Sequence, residues 1–443
     1  MKPKAVPTHQ HKARRQKFMN ATKHAVALIP SAPVQLRNSD VSFSYRQNSD
    51  FFYLTGLRES DSLCLLAPGQ AHPFQIFVHP KDPKKELWEG RVLGPAMAKK
   101  TLEADAAFAS SPLSIFDDAF IEAIRQAECL FYRVGLWPEM DQRVFSLLER
   151  AAKSLGRTGR AMWPIVDPQS ILGEMRLFKE KSEIACLEKA GEISAAGHVH
   201  AMKITRAGMH EYEIEAALYH CFANSGAERL AYPSIVASGE NACVLHYNTN
   251  RDQLKEGDLL LIDAGAEYEY YAGDITRCIP VGGKFSPAQR EVYQAVLTAQ
   301  KSCLAMAKPG KTMRAIHNHA VEVLTEQLKR LGILKGTTQS LIKKEAYKPY
   351  FPHGTGHWLG MDVHDVGRYY DRTYDNHRKL SPGMCFTVEP GLYFGPEAPC
   401  PAKYQGIGVR IEDDVLITAT GSKVLTSGVP KEIEEVENLC NAT

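Results

Sequence analysis

The sequence predicts an α/β (α+β) chain of two domains, a mixed α/β domain over residues 1–172 and a second over residues 173–443. Three observations predict it. The chain has 443 residues, of which 44% are hydrophobic and 23% charged; these are globular proportions, at a length that exceeds the roughly 100–200 residues of one domain. The stretch GRTGRAMWPIVDPQS, residues 156–170, is rich in Gly, Pro and Ser and reads as a linker. Past that stretch, short mixed runs give way to long amphipathic helices and to strands that carry acids.

The elements follow in order. QIFVHP (75–80) is an apolar run closed by proline, the pattern of a buried strand. AFIEAIRQAE (119–128) and DQRVFSLLERAAKSL (141–155) repeat apolar residues at helical spacing. KSEIACLEKAGEISAAGHVHAMKI (181–204) is a long amphipathic helix; Ser182 with Ala185 gives it no capping box. HEYEIEAALYHCFANSG (210–226) is a second helix, closed by Gly226. DLLLIDAGAEYEYYAGDITRCIPV (258–281) reads as two strands and a turn. Two more helices span 286–307 and 313–332, and GMCFTVEPGLYF (383–394) and IGVRIEDDVLIT (407–418) are strands. The acidic tail EIEEVENLCNAT reads as a frayed helix.

Composition narrows the function. Lys plus Arg is 53 and Asp plus Glu is 51, a net charge of +2, which favours neither nucleic acid nor a membrane as partner. The one basic cluster, HQHKARRQK (9–17), reads as the solvated face of an N-terminal helix. Ten scattered cysteines without a CxxC pair fit a reducing compartment. No window approaches the roughly 18 apolar residues of a membrane span, and no signal-peptide core is visible, so we expect a cytoplasmic protein.

The chemistry concentrates in FPHGTGHWLGMDVHDVG, residues 351–367, which carries His353, His357 and His364. Two histidines four apart can share zinc on a helix face. Here Pro352, Gly354, Gly356 and Gly360 break the helix, and Gly354 stands where an HExxH site has its glutamate. The segment is therefore a loop or strand edge with one or two ligands at most, and the others must lie elsewhere. Strand-borne acids supply them, because an unpaired buried carboxylate is costly without a cation. Asp263 ends LLLID, Asp274 begins DITRC, Glu389 ends CFTVE before Pro390, and Glu412 lies in VRIEDDVLI two residues after Arg410. A hairpin about the midpoint of Asp263 and Asp274 would set them opposite each other, about 5 Å apart. An Arg410–Glu412 ion pair explains one acid and not four. Four carboxylates and one imidazole balance two divalent ions, and oxygen-rich ligation favours a hard ion such as manganese. Two such ions hold and acidify a water for hydrolysis.

LIDAGxxxxxYAGDIT, HGTGHWLGMDVHDVG, TVEPGLY and GVRIEDD occur in that order, and the whole resembles the pita-bread metallopeptidases, among them the aminopeptidase P (Xaa-Pro aminopeptidase) family most closely. The resemblance runs from about Tyr45 to about Thr420 and takes in SGENACVLHY and RQNSDFFYLTGLRESDSLCLLAPG. It implies a curved antiparallel sheet covered by helices over 173–443, and release of the first residue from peptides with proline second. The implied cofactor is a pair of divalent metal ions, manganese foremost with zinc or cobalt as alternatives, with a metal-bridging hydroxide as nucleophile. It implies Asp263 as ligand of one ion, Asp274 and Glu412 as bridges, and His357 and Glu389 as ligands of the other. Glu389 is the implied general base. His246, His353 and His364 are implied to face substrate, and Arg410 to lie beside the metals. Trp88, Tyr369 and Arg372 are implied substrate-binding residues, Trp88 from a neighbouring subunit of a homotetramer or homodimer. After HDVG the loop RYYDRTYD departs from the family pattern. Prolidase shares fold and ligands and remains the alternative; a non-catalytic relative is a third reading, opposed by all five ligands being present.

Overall fold

The computed structural model describes residues 6–157, 162–371 and 373–441. It divides into two compact units, one over Val6–Glu174 and one beginning at Met175.

The N-terminal unit opens with the helix Thr8–Ala21. Lys12 and Lys17 face solvent as expected, but His11, Arg14 and Arg15 are buried. The basic cluster is thus not a solvated face. Arg15 donates to the carbonyls of Leu54 and Leu102, both at 2.8 Å, and its guanidinium lies 3.9 Å from the Phe74 ring centre. Arg14 lies 4.0 Å over Tyr53. Planar guanidinium groups tolerate burial where carbonyls and aromatic faces take their donors and charge. A six-stranded mixed sheet follows, in spatial order Ala106–Ala109, Phe74–Val78, Leu63–Leu66, Ala25–Pro30, Cys129–Phe131 and Ile165–Val166. The helices Ser114–Arg125 and Pro138–Ser154 turn Phe116, Phe120, Val144 and Leu147 onto its core, beside Val26, Leu28 and Leu65. The expected linker belongs to this unit: Trp163 is buried, its indole N–H donates to the Ala127 carbonyl at 3.0 Å, and Ile165–Val166 pairs with Leu130–Phe131. Residues 158–161 of that stretch lie outside the described residues.

The second unit begins with α1 (Lys181–Ile204) and α2 (Glu211–Asn224). A capping box does start α1, between Glu180 and Glu183 rather than at Ser182. Strand β1 (Ile235–Ser238) pairs with β2 (Leu259–Asp263), which pairs with β5 (Thr276–Pro280), all antiparallel. Between them β3 (Ala266–Tyr268) and β4 (Tyr271–Ala272) close on Glu269 and Tyr270, at φ 48° and 69°. Two left-handed residues in a two-residue loop make the turn that suits strand twist. Helices α3 (Pro287–Met306) and α4 (Met313–Arg330) follow, then β6 (Cys385–Val388), β7 (Gly391–Tyr393), β8 (Gly408–Arg410) and β9 (Asp413–Ile417). One apolar core joins both layers, with Ile193, Val292 and Leu324 from the helices and Leu260, Ile262, Phe386 and Val409 from the strands. The acidic tail is not frayed. It forms α5 (Ile433–Cys440), which buries Ile433 and Val436. Among the described residues no helix is long and apolar enough to cross a membrane.

Candidate metal centre

The hairpin exists, but its register differs from the one expected. Asp263 stands opposite Thr276, not Asp274. The true turn centre is Glu269–Tyr270, so Asp274 falls two residues short of the position opposite Asp263. A diagonal neighbour of this kind still shares the sheet face. The second pair of acids is opposed directly. Val388 pairs with Asp413 and Gly391 with Arg410 in one register, so Glu389 and Glu412 meet in the gap between the two ladders.

One cavity of about 460 Å³ is lined by Asp263, Asp274, His357, Glu389 and Glu412, together with His246, His353, His364, Tyr232 and Arg410. An oxygen of Asp274, one of Glu412 and a nitrogen of His357 lie within 4.8 Å of one another, the spacing of a metal-binding group. His357 Nδ1 is 3.1 Å from the Trp358 carbonyl. An N–H is needed there, which turns Nε2 toward Asp274 at 3.4 Å and Glu389 at 3.7 Å. Burial works to lower the pKa of His357, but Asp274 and then Glu389 outweigh it and raise it to about 9. That nitrogen therefore sits where a positive charge is favoured. Burial raises the carboxyl pKa of Asp274, and raises Glu389 to about 7 with Asp274 and Asp263 adding to it. Glu412 is driven well above the usual carboxylate range, first by burial and then by Asp274 and Glu389. Four carboxylates crowd around the His357 imidazole and the Arg410 guanidinium. This donor set fits two divalent ions, which would return every acid to its charged form.

Arg410 is not the partner of Glu412. It donates to Asp263 at 2.6 Å, to Thr276 Oγ1 at 3.0 Å and to the Tyr393 hydroxyl at 2.9 Å. His353 lies in the cavity wall, 2.8 Å from the same Tyr393 hydroxyl and 2.7 Å from the Gly354 carbonyl. Burial, then the Arg410 charge, lowers its pKa to about 4, so it is neutral. His364 packs edge-on against His357 at 4.2 Å between ring centres. Its loop is anchored by Asp365, which accepts from Arg176 at 2.5 Å and Lys179 at 3.0 Å.

Three contributors escaped sequence reasoning. The Tyr232 hydroxyl lies 2.6 Å from Asp263 and 2.5 Å from Asp274. Thr276 donates to Glu412 at 2.6 Å. Tyr393 links His353 to Arg410. Thr276 was legible from the correct register; an isolated tyrosine carries no such signal. Tyr369 stands outside the metal cavity, stacked on Trp358 at 5.4 Å, with its hydroxyl accepting from the Trp358 backbone N–H at 3.2 Å. Trp88 lies on the helix Pro83–Glu89 of the other unit, 86% exposed. Arg372 lies outside the described residues.

Comparisons with known proteins identify the family. Residues 185–419 match metallopeptidase family M24, and residues 11–131 match the aminopeptidase P N-terminal domain. The chain is 43% identical to the Xaa-Pro aminopeptidase of Escherichia coli K12 over 94% of its length and 93% of that protein's. It is 35% identical to the mitochondrial intermediate cleaving peptidase 55 of Arabidopsis thaliana, over 97% of this chain and 82% of that one. Its fold superposes on the Pseudomonas aeruginosa aminopeptidase PepP with a TM-score of 0.94 at 41% identity, covering 99% and 98% of the two chains. A Zn-substituted E. coli aminopeptidase P in complex with product gives the same TM-score and identity, over 99% of each chain.

Proposed function

Because the chain belongs to metallopeptidase family M24 and carries the aminopeptidase P N-terminal domain ahead of it, we propose that it is an Xaa-Pro aminopeptidase, releasing the first residue of peptides with proline second. The convergence of Asp263, Asp274, His357, Glu389 and Glu412 on one cavity carries this reading. Asp263 would hold one ion, Asp274 and Glu412 both, and His357 with Glu389 the other. When bound, the two ions acidify a water and polarise the scissile carbonyl.

The residues do the rest. An Xaa-Pro bond has no N–H, and the proline ring fixes φ near about −65°, so the site needs a ring-shaped pocket and a proton for the leaving nitrogen. Glu389 would take a proton from the attacking water as general base and return it to the leaving nitrogen as general acid. His364 and His246 hold the carbonyl oxygen as charge develops on it. Neutral His353 contacts the leaving side, steadied by Tyr393. Arg410 fixes Asp263 and offsets its charge. Tyr369 and Arg372 bind the peptide substrate, and Trp88 closes the pocket of a neighbouring subunit in a homotetramer or homodimer; its exposure suits such a contact. Manganese is the metal the oxygen-rich donor set favours. Ten scattered cysteines without a CxxC pair suit a reducing cytoplasm.

Reconstitution with manganese, zinc or cobalt, followed by assay on Xaa-Pro-Pro and Xaa-Pro peptides, tests the reading. Cleavage of the tripeptide, fastest with manganese, is expected. A tripeptide left intact while the dipeptide is cut would make the chain a prolidase.

A further inference from the structure

Beside the metal cavity lies a second concavity of about 510 Å³. The two share His353, Gly354 and Gly356 as a common wall. Across that wall the charge reverses. The first cavity is lined by four carboxylates. The second has no Asp or Glu among the described residues that line it, and its charged group is Arg314, with His317 and His377 beside it. Arg314 stands in the first turn of α4, where unpaired backbone N–H groups add partial positive charge. A guanidinium stays cationic at any working pH. His317 is held by Thr355, with Nδ1 2.9 Å from Oγ1, and the Thr355 carbonyl accepts the Glu389 N–H at 3.0 Å. The floor of the second cavity is thus tied directly to the strand that carries Glu389. His377 faces Tyr370 at 4.6 Å between ring centres. On the shared wall Gly354 leaves open space where a side chain would stand, since a Cβ there would meet nothing within 4 Å.

A peptide with its scissile bond at the carboxylate cluster has to lead its later residues away from those acids. Resting on the peptidase reading above, we infer that these residues cross Gly354 into the second cavity, where Arg314, supported by His317 and His377, forms a subsite for a carboxylate. That carboxylate is either the free C-terminus of a short peptide or an acidic side chain of a longer one. The subsite makes the enzyme select for negative charge downstream of proline, although its metal cavity is itself acidic.

The test uses the full chain reconstituted with manganese and four peptides: Ala-Pro-Ala, its C-terminal amide, Ala-Pro-Glu-Ala-amide and Ala-Pro-Lys-Ala-amide. A charge-assisted contact of this kind is expected to give about a tenfold preference in kcat/KM, mostly through KM. Free acid over amide assigns the C-terminal carboxylate; Glu over Lys without an effect of amidation assigns the side chain. In either case Arg314→Ala brings the preference close to unity, and Arg314→Lys keeps part of it. Equal kcat/KM for all four peptides, or a preference that survives Arg314→Ala, overturns the inference alone. No turnover of any peptide overturns it together with the peptidase reading.

Discussion

Gly356 separates the two histidines of HGTGH, and the structure gives a physical price for a side chain there. A Cβ at this position would stand 1.9 Å from the Thr387 carbonyl oxygen, where real contacts stay above 3.0 Å, so loop and strand must part by about 1.1 Å. The two atoms closer than 3.0 Å, the Thr387 carbonyl oxygen and carbon, are backbone and not a flexible side-chain end. The segment 355–357 runs along β6, with the Thr387 N–H on the His357 carbonyl at 3.0 Å and the Glu389 N–H on the Thr355 carbonyl at 3.0 Å. Displacement therefore reaches His357 and Glu389 together. Overpacking of this kind costs about 1–3 kcal/mol of stability, and misplacing a catalytic group by about 1 Å costs on the order of 100-fold in rate. Gly356→Ala is expected to fold with a lowered Tm, to bind metal more weakly and to lose about 100-fold in kcat/KM on an Xaa-Pro-Pro peptide. Gly354→Ala is the matched control for fold and metal, since nothing lies within 4 Å of a Cβ there. Metal content by mass spectrometry and Tm are read for both variants. A Gly356→Ala protein with two bound ions and kcat/KM within about twofold of wild type would refute the steric reasoning.

Asp274→Ala and Glu412→Ala each remove an acid from the group that also contains His357; both should lose bound metal and activity together, and full metal content in either would undo the dinuclear assignment. Tyr232→Phe deletes the hydroxyl that touches Asp263 and Asp274, and outer groups of this kind tune metal affinity by about 10–100-fold, which competition against a chelator measures. His11 is held neutral by burial, then by the Arg14 charge, its pKa lowered from 6.5 to about 4. The unfolded chain takes that proton first, so the stability it contributes is complete above pH 6.5 and is lost as pH falls toward 4. The loss is on the order of 3 kcal/mol, and His11→Gln should flatten the pH dependence of the N-terminal unit's denaturant midpoint.

The acids that line the metal cavity were legible because acids at the ends of apolar strands are anomalous whatever the fold. The glycines of the histidine loop likewise excluded a helix, and the structure has none over 351–367. What could not be read is instructive. Locating a turn within AEYEYY fixes a hairpin but not its centre, and either of two centres suits the composition; the left-handed pair Glu269–Tyr270 decides it. The basic cluster misled because charge was read without its neighbours: Arg15 is buried by two carbonyls that come from 39 and 87 residues away. The helix cap at Glu180 was missed because a glutamate is an uncommon residue there. Tyr232 has no periodic context at all.

The four acids meet because two strand registers share one residue. Pro390 has no N–H to give, so the ladder lapses opposite Ile411, between the β6–β9 and β7–β8 pairs and next to Glu412. The Glu412 N–H goes instead to the Thr276 carbonyl at 3.1 Å, and Arg277 donates to the carbonyls of Glu412 at 2.5 Å and Thr276 at 3.0 Å. The chain between β8 and β9 thereby changes partner from one strand pair to the other at the very residue whose carboxylate lines the cavity. Thr276 completes the link, since it is the residue opposite Asp263 and its hydroxyl donates to Glu412. A slip of one residue in either ladder would turn its acids to the opposite face. These strands are buried on both faces, with Leu260, Ile262, Phe386 and Val415 turned away from the acids: core packing holds both registers, and the registers place the ligands.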